Sequence, residues 1–85
     1  MTSKDIRVLV VDDSAVIREM LSDSITEADG FELVATAGGG KEALARIEQH
    51  HPDLVTLDIQ MPGMNGLETL DEILKWAPTP VIMVS

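Results

Sequence analysis

The chain has 85 residues, no cysteine, and 15 Asp+Glu against 6 Lys+Arg, a formal net charge of −9. That length allows one small domain with a thin core, and the missing cysteines exclude disulfides and thiolate metal sites. Six scattered basic residues and only two aromatics, Phe31 and Trp76, argue against nucleic acid, which needs clustered cations and stacking rings.

At 45% hydrophobic the chain is too apolar for a disordered tail, yet no apolar run is long enough to span a membrane. The start, Met1 to Asp5, carries no apolar signal core, so a cytoplasmic location is expected. The excess of carboxylates suits a cation or a basic protein partner.

Ile6 to Val11 (I-R-V-L-V-V) is short, β-branched and almost wholly apolar, the pattern of a strand buried on both faces in a parallel sheet. Asp12-Asp13-Ser14 stops it and offers N-cap side chains. Ile17, Met20, Leu21, Ile25 and Ala28 then recur at helical spacing, predicting an amphipathic helix closed by Asp29-Gly30, with Gly30 able to take the left-handed C-cap conformation. Phe31 to Ala37 reads as a second strand and Gly38-Gly39-Gly40 as a loop. Lys41 to Gln49 reads as a second helix, with Ala43, Leu44 and Ile47 inward, ended by His50-His51-Pro52. Leu54 to Leu57 is a third strand ending at Asp58, and Met61 to Gly66 is a turn-rich loop. A third helix places Leu67, Leu70, Ile73 and Leu74 on one face; Ala77-Pro78-Thr79-Pro80 stops it before a fourth strand, Val81 to Val84, and Ser85. The βαβαβαβ order predicts an α/β fold with a parallel sheet and right-handed crossovers.

In such a sheet the carboxyl ends of the strands share one rim, and ligands bind there. Asp12 and Asp13 end the first strand, Asp58 the third and Ser85 the fourth. Asp13 and Asp58 lie 45 positions apart, but this topology makes their strands neighbours. Crowded carboxylates repel, so the cluster needs raised pKa values or a cation. Carboxylates, carbonyls and water are hard-oxygen ligands suited to Mg²⁺, which leaves positions open for phosphate oxygens. An aspartate beside it can attack a phosphoryl group. The plainer reading makes these residues strand-end caps. Two strands ending in Asp and a third in Ser favour a functional pocket instead.

V-L-V-V-D-D-S-A-V-I-R, V-T-L-D-I-Q-M-P-G-M-N-G-L-E-T-L and P-T-P-V-I-M-V-S together resemble a response-regulator receiver domain. The type they most resemble is the receiver found in chemotaxis protein-glutamate methylesterases. The resemblance covers essentially the whole chain and implies a flavodoxin-like fold, here with strand order 2-1-3-4. It implies two-component signalling, with a histidine kinase as phosphodonor and an effector domain as output. Asp58 matches the phosphoacceptor, Asp13 and Asp58 match direct Mg²⁺ ligands, and Asp12 matches a ligand acting through water. Gln60 matches the residue whose backbone carbonyl binds the metal, and Ser85 matches the switch hydroxyl. Asn65 stands where the family usually has Asp, and Gln60 where the methylesterase type usually has Glu. A receiver continues into a fifth strand with a phosphoryl-binding lysine, an aromatic switch residue and two further helices. None of these is among the 85 residues, so the chain is expected to be a truncated receiver, itself not an enzyme, from a methylesterase parent.

Other features weigh less. Gly38-Gly39-Gly40-Lys41-Glu42-Ala43 fits a dinucleotide-binding loop, but leaves Asp12-Asp13 unexplained. Nucleotide binding independent of Asp58 would single that alternative out, and folding without phosphorylation a purely structural fragment. A P-loop fails because Glu42 follows Lys41. His50-His51 reads as a solvated helix end, Trp76 as packing, and Met20, Met61, Met64 and Met83 as core or loop filling. Under the order 2-1-3-4 the apolar fourth strand is a bare edge, so self-association into a homo-oligomer is expected.

Overall fold

Residues 6–11 form β1 (Ile6–Val11), the strand around which the rest assembles in this computed structural model, which describes residues 5–58, 66–76 and 80–84. Val8, Leu9, Val10 and Val11 are all buried, so both faces of β1 are covered, as its unbroken apolar run requires. α1 (Ala15–Glu27), β2 (Phe31–Ala37), α2 (Gly40–His50), β3 (Leu54–Asp58), α3 (Gly66–Trp76) and β4 (Val81–Val84) follow. The strands make one parallel sheet in the order β2-β1-β3-β4, as the resemblance implied. One extra residue on β2 shifts the register between Val8 and Leu9. At the amino ends of the strands Arg7 and Asp53 tie β1 to β3. The Arg7 amide donates to the Asp53 carboxylate at 3.0 Å, and the Asp53 amide donates to the Arg7 carbonyl at 2.8 Å.

The main core lies on one face of the sheet. Leu9 and Val11 of β1, Ala37 of β2, Val55 and Leu57 of β3 meet Ala43 and Ile47 of α2 and Ile73 of α3. Leu44 and Leu70 pack at its margin. α2 follows its predicted face closely. It ends at His50-His51-Pro52 as expected, and the structure adds how: His51 takes a left-handed conformation (φ 48°) and its amide caps the Ile47 carbonyl at 2.9 Å.

Three expectations are corrected. α1 ends at Glu27, where the Ala28 amide caps Ser24 and Ile25; Gly30, at φ +88°, instead makes the turn into β2. No residue of α1 is buried, and Met20 is 59% exposed, so it is not core filling. The cause is placement: α1 packs on β2 and β1, apart from the core that α2 and α3 share with the sheet, to which it contributes no residue. On α3 the inward face is Thr69, Ile73 and the half-buried Leu70, whereas Leu67 is 63% and Leu74 56% exposed. Thr69 and Ile73 are one turn apart and are buried together; Leu67 and Leu74 share a different face seven residues apart. Of the loop read at Met61 to Gly66 and the helix stop read at Ala77 to Pro80, residues 61–65 and 77–79 lie outside the described residues, and Gly66, read as loop, is the first residue of α3; the side chains of Trp76 and Met83 also lie outside them.

Candidate functional site

β1 and β3 end together on one rim. Val11 lies opposite Leu57, so Asp12 and Asp58 come next to each other along the two strands. Asp13 follows at once. One carboxylate oxygen from each of Asp12, Asp13 and Asp58 lies within 4.8 Å of the others. Asp12 is buried, Asp58 half-buried and Asp13 exposed, so the cluster opens outward from the sheet end.

The turn after β1 is held from several directions. The Asp12 amide donates to the Ala37 carbonyl of β2 at 3.0 Å. The Asp12 carboxylate accepts the Ser14 amide at 2.9 Å, an Asx turn. Ser14 caps α1, its hydroxyl accepting the Ile17 amide at 3.3 Å. The Asp12 carbonyl has left the ladder and is satisfied by Arg18, whose Nη1 donates to it at 2.6 Å. Sequence reasoning counted Arg18 among scattered cations. The signal that could have found it is its place four residues beyond the N-cap Ser14, one turn up the helix on the side that returns over Asp12.

Mg²⁺ takes six oxygens at about 2.1 Å, so opposite corners of its octahedron stand about 4.2 Å apart. Neighbouring corners stand about 3.0 Å apart, so three carboxylate oxygens within 4.8 Å of one another would draw together to hold that ion, or one carboxylate would act through water. Of the other predicted site residues, Gln60 and Ser85 lie outside the described residues, as does Asn65. The described lysines stand elsewhere. Lys41 is exposed at the start of α2, and Lys75 pairs with Asp71 at 3.8 Å on α3. The glycine loop is not arranged as a phosphate cradle: the Gly38 amide donates to the Glu42 carboxylate at 2.7 Å and so already has its anion.

Comparison with known proteins agrees with this geometry. The family model described as the response regulator receiver domain matches residues 8–85. The chain is 54% identical over 82 residues to the protein-glutamate methylesterase/protein-glutamine glutaminase of Geobacillus kaustophilus, covering 96% of this chain and 24% of that protein. It is 55% identical over 80 residues to the protein of the same name from Bacillus subtilis, covering 94% of this chain and 22% of that one. Among solved structures, the response regulator domain of Thermotoga maritima CheB superposes with a TM-score of 0.93 at 49% identity, over 96% of this chain and 61% of that one. CheY in a CheX-CheY-BeF3-Mg²⁺ complex from Borrelia burgdorferi gives a TM-score of 0.83 at 37% identity, over 94% of this chain and 61% of that one. The chain thus spans about a quarter of the curated relatives and about three-fifths of these receiver structures. The fold, the acidic rim and these relatives meet in one family, the response regulator receiver domain, and the chain belongs to it.

Proposed function

We propose that this chain is the first four-strand part of a chemotaxis receiver of the methylesterase type, and that it accepts a phosphoryl group on Asp58 from a histidine kinase. The observation that carries this reading is the gathering of Asp12, Asp13 and Asp58 within 4.8 Å at the carboxyl ends of neighbouring strands. A bound Mg²⁺ supplies charge neutralisation and coordination for phosphoryl oxygens. Asp13 and Asp58 would hold it directly, Asp12 would hold it through water, and Gln60 would contribute its backbone carbonyl. A carboxylate oxygen of Asp58 attacks phosphorus. A phosphorus–oxygen bond forms as the phosphorus–nitrogen bond of the phosphohistidine breaks, and the departing imidazole keeps that electron pair and takes a proton from solvent. Ser85 follows Val84, the residue opposite Asp58 in the β3–β4 register, and its hydroxyl donates to the new phosphoryl group. The output is an effector domain of the whole protein, a methylesterase acting on receptor glutamates.

The test is incubation with Mg²⁺ and acetyl phosphate, read by intact mass, with Asp58→Asn in parallel. One phosphoryl group gained by the chain and not by the variant supports the reading. No gain in a folded sample overturns it for this chain, and a gain that persists in Asp58→Asn overturns the assignment of the acceptor.

We also propose that two copies associate through β4. Among the described residues it is the edge of the sheet, and Ile82 on it is 52% exposed.

A further inference from the structure

We infer that Arg18 is the positioning residue of the acidic pocket, setting Mg²⁺ affinity without touching the ion. The inference rests on the reading of Asp12, Asp13 and Asp58 as a cation site. Two of those three carboxylates hang from the turn that leaves β1. Its backbone is anchored on one side by the Asp12 amide on Ala37, at 3.0 Å. On the other side the Asp12 carbonyl has no strand partner among the described residues, and Arg18 Nη1 donates to it at 2.6 Å. That is a short, charge-assisted bond in a half-buried place.

The guanidinium is itself seated. A Cβ built on Gly38 would lie 3.2 Å from Arg18 Nη1 and 3.7 Å from its Cζ. Glu42 Oε1 lies 3.6 Å from the same point, while it accepts the Gly38 amide. So the bare glycine after β2 makes the room in which Arg18 reaches Asp12. Three segments therefore meet at one guanidinium: the end of β1, the first turns of α1 and the loop before α2. Groups that orient metal ligands without binding metal typically change affinity by about tenfold or more when removed.

Charge and geometry predict opposite signs here. If Arg18 acted only as a nearby cation, its removal would relieve repulsion and tighten Mg²⁺ binding. As a positioning residue, its removal loosens the Asp12-Asp13 turn and weakens binding.

The experiment is calorimetric titration of the whole chain with Mg²⁺. The variants are Asp13→Asn, Arg18→Ala, Arg18→Lys, Gly38→Ala and the Arg18→Ala/Gly38→Ala pair, each checked for folding by circular dichroism. We expect Arg18→Ala to weaken binding by about tenfold and Arg18→Lys to restore part of it. Gly38→Ala should weaken binding by about twofold to threefold with Arg18 present and have no effect without it, the signature of coupling. Unchanged or tighter binding in folded Arg18→Ala overturns the inference. So does an equal effect of Gly38→Ala in both backgrounds. If Arg18→Ala does not fold, folded Gly38→Ala with unchanged affinity overturns it alone. Failure of the cation-site reading looks different: the unaltered chain would not bind Mg²⁺, or Asp13→Asn would bind it equally well.

Discussion

Val11 of β1 and Leu57 of β3 are register partners, so Asp12 and Asp58, the next residues along two parallel strands, leave the sheet side by side. The 45 positions between Asp13 and Asp58 vanish in that one pairing. Three carboxylates with oxygens within 4.8 Å of one another repel more in the folded chain than in the unfolded one, where only the sequence neighbours Asp12 and Asp13 stay close.

A cation that binds only the folded pocket must therefore stabilise the fold. At a hundred times its dissociation constant the gain is about 2.7 kcal/mol, roughly 10 °C or more in Tm for a domain this small. Thermal melts with and without Mg²⁺ should show that rise. Asp13→Asn should lose most of it and, without Mg²⁺, melt no lower than the unaltered chain, since a like charge has gone. An equal Mg²⁺ shift in both proteins would refute the assembled site.

Thr56 gives a second expectation. It alternates on β3 with the buried Val55 and Leu57, so its side chain turns to the opposite face of the sheet. Its Oγ1 is buried and has no hydrogen-bond partner among the described residues. Thr56→Val keeps the shape and removes the unmatched hydroxyl. Stability should rise by about 1 kcal/mol, or roughly 4–8 °C in Tm. A lower Tm would mean that the hydroxyl is satisfied in solution.

The third expectation separates two neighbours on α3. Ile73 is fully buried against α2 and the sheet, while Leu74 is 56% exposed. Ile73→Ala should cost about 2–5 kcal/mol, because it empties a packed site in a thin core. Leu74→Ala should change stability by no more than about 0.5 kcal/mol. Urea unfolding of both variants checks the helix face directly; comparable losses would turn α3 round.

That helix also shows where sequence reasoning stops. The strands were legible because β1 and β3 are short apolar runs ended by aspartate, and their alternation with helical stripes leaves few topologies. The rim carboxylates were legible for the same reason: the end of a parallel strand is a place as well as a sequence position. The facing of α1 and α3 was not legible, because a stripe of apolar residues says that a face exists and not what covers it. Leu67 and Leu74 fit the stripe as well as Ile73 does; only contact with α2 and β3 distinguishes them. Arg18 was missed because its role depends on a carbonyl, and carbonyls leave no mark in the alphabet of side chains.

The last expectation concerns the edge at β4. β4 pairs with β3 on one side, and in the order β2-β1-β3-β4 no described strand lies on its other side. Val81 to Val84 carries no charge, and Ile82 is 52% exposed, so little opposes pairing with a second copy except the net charge of −9. That repulsion is long-ranged and screened: the Debye length is about 30 Å at 0.01 M salt and about 8 Å at 0.15 M. Association through an apolar edge should therefore strengthen as salt rises, the reverse of an interface held by ion pairs. Light scattering should give a mass that climbs with protein concentration, more steeply at 0.15 M than at 0.01 M salt. Ile82→Lys, which puts a charge on the exposed strand, should hold the mass at that of one chain under both conditions. A monomeric mass for the unaltered chain at every concentration would refute the edge pairing, and association that survives Ile82→Lys would move the interface to another surface.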